Sequence, residues 1–481
     1  MKNKTLSAIV ALSGLAAVAM PAVARVKKDS TPLYKDSSAP VEERVNDLLS
    51  RMTLEEKIMQ LNQYTLGRNT VENNLREMAG AVPAEAGSVI YFSDDANLRN
   101  MMQKRCMEET RLGIPMIFGH DVIHGYRTIA PVPLAQAASW NPDLVRTISR
   151  DAAREAYYGG LDWTFSPMVD IARDPRWGRV MEGYGEDPYL TSVFCKAAVE
   201  GYQGDDLSAE GSIAACLKHF VGYGASEAGR DYVYTEISDQ ALWDTYLPSF
   251  HAGVESGAAT VMSAFNNISG IPASANKYTM TDVLKKKWNW DGMIVSDWDA
   301  VIQLTNQGVA KDGYEAAALA INAGIDMDMM DDLYRKNLAG LIDNGLVSME
   351  TVDECVRRVL RLKFRLGLFE RPYIDVRPAE DIYLQPEAVA HAEEMAQESM
   401  VLLKNDNAVL PLKGVAKIAV VGPLADTQKE LIGNWVARGK PADVVPILTG
   451  MKEEFADAQV VYAQGCGFEE MDEASVKAAL E

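Results

Sequence analysis

The stretch Asp291-Gly292-Met293-Ile294-Val295-Ser296-Asp297-Trp298-Asp299 sets a short apolar run between a glycine turn and two carboxylates. An apolar run of this length, bounded by turn residues, reads as a strand covered on both faces, as in parallel sheets. Working outward, similar runs occur at Thr260–Ala264, Ile213–Leu217, Leu161–Ser166, Ile114–Phe118 and Ser88–Phe92 on the amino side, and at Gly324–Met327 on the carboxyl side. Amphipathic helical patterns separate them: Asn141–Tyr157, with Asn at the cap and Pro142 at the first helical position, then Pro188–Gln203, Asp239–Glu255 and Gly313–Ala323. Such alternation predicts an α/β fold with a parallel sheet and helical crossovers. The count is seven strands, one short of a closed eight-stranded barrel.

Toward the amino terminus, Val41, Val45, Leu48, Leu49 and Met52 recur at helical spacing, and Thr53 with Glu56 forms a capping box that opens a second helix. Residues 1–24 differ from the rest. Lys2 and Lys4, the apolar stretch Leu6–Met20 and the small-x-small pattern Ala22-Val23-Ala24 predict a cleaved signal peptide, hence export to the periplasm or the extracellular space. A polar tether over 25–40 follows. Toward the carboxyl terminus, the helical pattern Thr351–Leu366 stops at Gly367 and a loop with Arg371-Pro372 and Arg377-Pro378 follows. The expected organisation is a first domain over 41–370, a linker and connecting helix over 371–400, and the start of a second α/β unit over 401–481, with Lys417–Val421 as its first strand. So short a stretch cannot cover both faces of a parallel layer, and the second unit reads as incomplete.

The 481 residues carry a formal charge of −21, which disfavours a nucleic-acid groove or an anionic membrane surface as partner. Apolar residues make up 48% and charged ones 24%, the balance of a globular chain, and no run after the leader is long enough to span a bilayer. Oligomeric state is not legible. Cys106, Cys195, Cys216, Cys355 and Cys466 are widely spaced without a ligand pattern, and core burial is the expected fate of most. His120 and His124, four apart, follow a strand rather than sit on a helix, so neither a metal nor another cofactor is expected.

In a parallel α/β ring the working groups project from the carboxyl ends of strands. Those ends carry Gly119-His120-Asp121, Lys218-His219, Phe265-Asn266 and Asp297-Trp298-Asp299. An adjacent Lys-His pair with two separate carboxylates points to one shared site. The loop Arg173–Arg179 is rich in guanidinium groups. Arg173 and Arg176 read as loop ion pairs, and Arg179, after Gly178, as a donor toward ligand hydroxyls.

The runs DVIHGYRT (121–128), PMVDIARDPRWGR (167–179), EGYGEDPYL (182–190), KHF (218–220), VMSAFN (261–266), VSDW (295–298) and SMVLLKN (399–405) resemble glycoside hydrolase family 3, and within it the exported bacterial β-glucosidase type. The resemblance spans about Val41 to Phe468. It implies a (β/α)8 TIM-like barrel followed by a truncated α/β sandwich domain. It further implies a retaining β-glycosidase acting on terminal β-D-glucosyl residues of oligosaccharides or glucosides, with Asp297 as the nucleophile. Asp121, Arg179, Lys218 and His219 match the groups that bind the innermost sugar, and Trp298 matches an aromatic platform beside the nucleophile. Phe265 stands where some members have Tyr. Members that cleave N-acetylglucosamine carry a His in the loop after KHF. Here that loop has none before His251, which disfavours that subgroup. The acid/base Glu of the β-glucosidase type falls, by the same resemblance, beyond Glu481. A β-xylosidase or broad exo-β-glycosidase is the alternative within the class, and a non-catalytic carbohydrate-binding barrel the alternative outside it.

Overall fold

The computed structural model describes residues 31–68 and 74–481. The expected signal peptide and the first part of the tether lie outside the described residues.

Eight short parallel strands organise the first 330 residues or so: β1 (Asn62–Leu66), β2 (Ser88–Tyr91), β3 (Ile117–His120), β4 (Trp163–Thr164), β5 (Cys216–Phe220), β6 (Thr260–Ser263), β7 (Met293–Val295) and β8 (Asp328–Met329). One sheet runs in the order β8-β1-β2-β3-β4 and a second in the order β5-β6-β7. Parallel bridges join them at both ends, Trp163 to Ala214 and Val295 to Met327. The carboxyl ends of all eight therefore lie on the same side.

The eighth strand is β1, absent from the sequence reading. Its polar sequence, Asn62-Gln63-Tyr64-Thr65-Leu66, hides it from a search for apolar runs. Asn62 and Gln63 are nonetheless buried, because Asn62 Nδ2 donates to the Ile58 carbonyl at 2.7 Å and Gln63 Nε2 to Ser88 Oγ at 2.8 Å. Two other strands begin later than expected, so His120, Lys218 and His219 lie within β3 and β5 rather than after them. The last strand is also displaced, from Gly324–Met327 to Asp328–Met329. Buried Asp326 accepts the Ile294 N–H and Lys285 Nζ, both at 2.7 Å, which lets a charged residue enter a strand edge.

Helical caps follow the sequence closely. Thr53 and Glu56 exchange hydrogen bonds of 3.2 and 2.8 Å, and Asn141 Oδ1 accepts from the Leu144 N–H at 3.1 Å. The pattern Asp239–Glu255 is broken in the structure: a π-helical turn over Leu242–Tyr246 precedes a helix that restarts at Pro248, whose ring cannot continue the preceding ladder. The helix Met349–Arg365 packs against Val41–Arg51 and closes the base of the strands. After it, β9 (Lys417–Val421) and β10 (Gln459–Ala463) pair in parallel, with Val421 55% and Tyr462 40% exposed. Of the five cysteines four are buried, and none is bridged. No helix of the described residues is long and apolar enough to cross a membrane.

Candidate active site

Strand β5 brings Lys218 and His219 to the carboxyl side, where both are buried. Asp121 follows β3 directly, and Asp297 follows β7 by two residues. Ser296 fixes that exit: its N–H donates to the Met327 carbonyl at 2.9 Å, and its Oγ accepts from the Met329 N–H at 2.8 Å. The Asp297 carbonyl then accepts from the Ala300 N–H, turning the chain. The loop after β4 returns Arg179 to the same place.

The charged groups interlock. Lys218 Nζ lies 2.8 Å from Asp121 Oδ1 and 4.0 Å from Glu182 Oε2. Arg179 grips Glu182 through two bonds, of 2.7 and 2.9 Å, and its Nη2 also donates to His219 Nε2 at 3.0 Å. Among the described residues no protein acceptor engages Arg179 Nη1. On the far side of the imidazole, Nδ1 and the backbone N–H of His219 both lie 2.8 Å from Asp170 Oδ2. Burial pushes the His219 ring well below the ordinary imidazole range, with Arg179 and Lys218 adding to it, so the ring is neutral with its proton on Nδ1.

Asp297 is 8% exposed; its Oδ1 accepts from the Trp298 N–H at 2.6 Å, whereas its Oδ2, 3.4 Å from His219 Nε2, has no hydrogen-bond partner. Burial raises its carboxyl to about 7, while Arg179, the Trp298 N–H and Lys218 act to lower it. Burial likewise raises Asp170 to about 7, against the His219 N–H and Arg179. A buried carboxylate oxygen without a donor, facing a cavity lined by cations, is disposed to attack an electron-poor carbon there.

The cavity has a volume of about 590 Å³ and brings together all seven residues singled out from the sequence: Asp121, Arg179, Lys218, His219, Phe265, Asp297 and Trp298. Phe265 serves as wall, in ring contact with Tyr223 and Tyr232. Trp298 has the Arg68 guanidinium 4.2 Å from its ring centre, so one face is already occupied. A larger cleft of about 1260 Å³ runs along Thr53–Met59, Val82 and Arg335, but its charges are turned on one another, Arg111 on Glu56 and Arg335 on Asp332. It gathers no convergent reactive set.

Sequence reasoning missed Asp170, Glu182 as partner of Arg179, and Trp435. The first two lie in quoted motifs but carry no local mark of burial. Trp435 arrives from beyond β9, its ring 5.4 Å from Lys218 Nζ and 5.9 Å from the Arg179 guanidinium carbon. Among the described residues no group of three or more His, Cys, Asp or Glu side chains is arranged to hold a metal ion.

Comparison with known proteins bears on this geometry. Residues 53–362 match the model of the Glycosyl hydrolase family 3 N terminal domain, and residues 400–481 that of the Glycosyl hydrolase family 3 C-terminal domain. A periplasmic beta-glucosidase of Salmonella typhimurium is 41% identical over 427 residues, covering 88% of this chain and 55% of that protein. A putative beta-xylosidase of Formosa agariphila is 35% identical over 429 residues, 84% of this chain and 56% of that one. Among solved structures, beta-glucosidase from Listeria innocua in complex with glucose has a TM-score of 0.85 at 41% identity, covering 91% of this chain and 62% of that one. The chain thus spans about half the length of the curated relatives it matches.

Proposed function

Because the chain belongs to glycosyl hydrolase family 3, we propose that it carries the sugar site and nucleophile of a retaining β-glycosidase that removes terminal β-D-glucosyl residues. In this reading the eight strands form a (β/α)8 barrel over 41–370, and 401–481 is part of an α/β sandwich domain that adds a wall to the cavity. Export to the periplasm or beyond is supported by the name of the Salmonella relative.

The observation that carries the proposal is the partnerless Asp297 Oδ2 at the floor of the cavity. It attacks the anomeric carbon, a C–O bond forms to Asp297, and the bond to the leaving oxygen breaks with its electron pair. Asp121, Lys218, Arg179 and His219 hold the hydroxyls of the innermost sugar, and Trp298 and Phe265 bound it. Water then releases the sugar with retention. The acid/base for leaving-group protonation and water activation is a Glu outside residues 1–481 in this proposal.

Incubation with a dinitrophenyl β-glucoside tests it, since that leaving group needs no proton. A glycosyl adduct by intact mass, mapped to Asp297, is the expected result; an unmodified chain, or an adduct elsewhere, overturns it. The Formosa relative supports β-xylosidase as a second reading. Faster labelling by the corresponding xyloside would favour it.

A further inference from the structure

His124 is 2% exposed, and each of its ring nitrogens ends 2.7 Å from a carbonyl oxygen: Nδ1 from that of Ala130, Nε2 from that of Asn434. Carbonyl oxygens only accept. A neutral imidazole has one N–H and one lone pair, so in that form one of these contacts sets lone pair against lone pair. An imidazolium donates at both. We propose that His124 is a doubly donating clamp, a positioning residue that seats Asn434 and Trp435 over the cavity.

The clamp acts one residue away from the ring that matters. Trp435 stands over both Lys218 and Arg179, at φ +57°, a left-handed conformation that tertiary contacts must hold. The rest of the segment is anchored in ways indifferent to neutral pH: the Arg438 N–H donates to the Tyr126 carbonyl at 2.7 Å, and Arg127 Nε pairs with Asp443 Oδ2 at 2.8 Å. Loss of the His124 side chain therefore loosens the turn at Gly433–Trp435 without undocking the whole segment.

Most charges on the surrounding elements are engaged elsewhere. On the loop of His124 itself, Asp121 is paired with Lys218 of β5 and Arg127 with Asp443 of the docked segment. Glu155, on the helix Pro142–Tyr158, accepts from the N–H groups of Arg127 and Thr128 at 2.8 and 2.9 Å. Arg438, whose Nε and Nη2 are buried without partners, lies near enough to His120 to disfavour a charge on it. His120 beside it is held neutral, burial lowering it to about 4.

The inference rests on the sugar-site reading only through its choice of ligand, and the experiment separates the two. Histidine labelled with ¹⁵N in the full chain gives a signal for His124, identified by its loss in His124→Gln. Both ring nitrogens should carry protons in the folded chain. His124→Gln should change the tryptophan fluorescence, a change absent when the same substitution is made in Trp435→Phe. Glucose affinity should fall by about threefold to tenfold in His124→Gln at one fixed pH. A His124 ring with one bare nitrogen throughout overturns the clamp. A doubly protonated ring with Trp435 fluorescence indifferent to His124→Gln overturns the positioning role. Failure to bind glucose, with ring and fluorescence behaving as expected, supports the clamp and counts against the sugar reading.

Discussion

Arg179 Nη2 stands 3.0 Å from His219 Nε2, and because a guanidinium only donates, that ring nitrogen is an acceptor. The proton of His219 is thereby placed on Nδ1, against Asp170. The orientation of the imidazole beside Asp297 thus depends on a carboxylate that need not touch a ligand.

Asp170→Asn keeps the volume but removes the charge that takes two N–H groups of His219. Labelling of Asp297 by dinitrophenyl glucoside is expected to slow by about 10- to 100-fold, the usual cost of losing a group that orients a reactive one. Mass spectrometry against time measures this. Unchanged labelling would remove Asp170 from the site.

Asp297→Ala should abolish the adduct while circular dichroism stays unchanged. In the unsubstituted chain, labelling should rise as pH passes through about 7 and then level, because only the ionised carboxylate attacks. The same shift has a stability consequence. The folded carboxyl, raised from 3.8 to about 7, binds its proton more tightly than the unfolded one, so its stabilising contribution is present below about pH 4 and lost as pH rises to 7. Asp297→Asn should therefore melt higher above pH 7, by up to about 4 kcal/mol in stability. Asp170, shifted the same way, keeps part of the pH slope in that variant. A lower melting temperature for Asp297→Asn at high pH would contradict the burial argument.

Trp435→Ala removes the ring standing over Lys218 and Arg179. Glucose binding by calorimetry should weaken by about 1 kcal/mol, roughly fivefold, with the labelling rate at saturating dinitrophenyl glucoside little changed. A collapse of that saturated rate would instead place Trp435 among the groups needed for the attack itself.

Cellobiose should be turned over slowly or not at all by residues 1–481, since general acid/base help is worth about 10²–10⁴ in rate. Rapid release of glucose would show that an acid/base lies within this chain.

Chelation is expected to leave both glucose affinity and labelling unchanged. Inactivation reversed by a divalent ion would overturn that expectation.

The fold was legible where burial is carried by apolar side chains. Thr260–Ala264 and Met293–Ser296 read as strands because Val261, Met262, Ile294 and Val295 make continuous runs with almost no exposure. It was illegible where polar groups satisfy one another indoors: Asn62 and Gln63 hide β1, and buried Asp326 and Asp328 blur β8. The site was legible by strand-end position, which led to Asp121, Lys218, His219 and Asp297. Asp170 and Trp435 were not, for different reasons. Asp170 looks in sequence like any loop acid, and only the fold turns it toward the His219 Nδ1. Trp435 reaches the cavity through a long-range docking that no local pattern encodes.

That docking also sets an order of events in time. The carbonyl of Asn434 meets His124 across 310 positions of chain. At roughly 5–20 residues per second, synthesis of that interval takes about 15 to 60 s, during which the loop at 121–130 exists with nothing to receive. Only once Asp328–Met329 has been made can the strand-end carboxylates and cations gather, and from then until Trp435 follows, about 5 to 20 s later at the same rate, they lie under an open roof. That wall is delivered late, so this side of the cavity is shaped by arrival rather than by collapse.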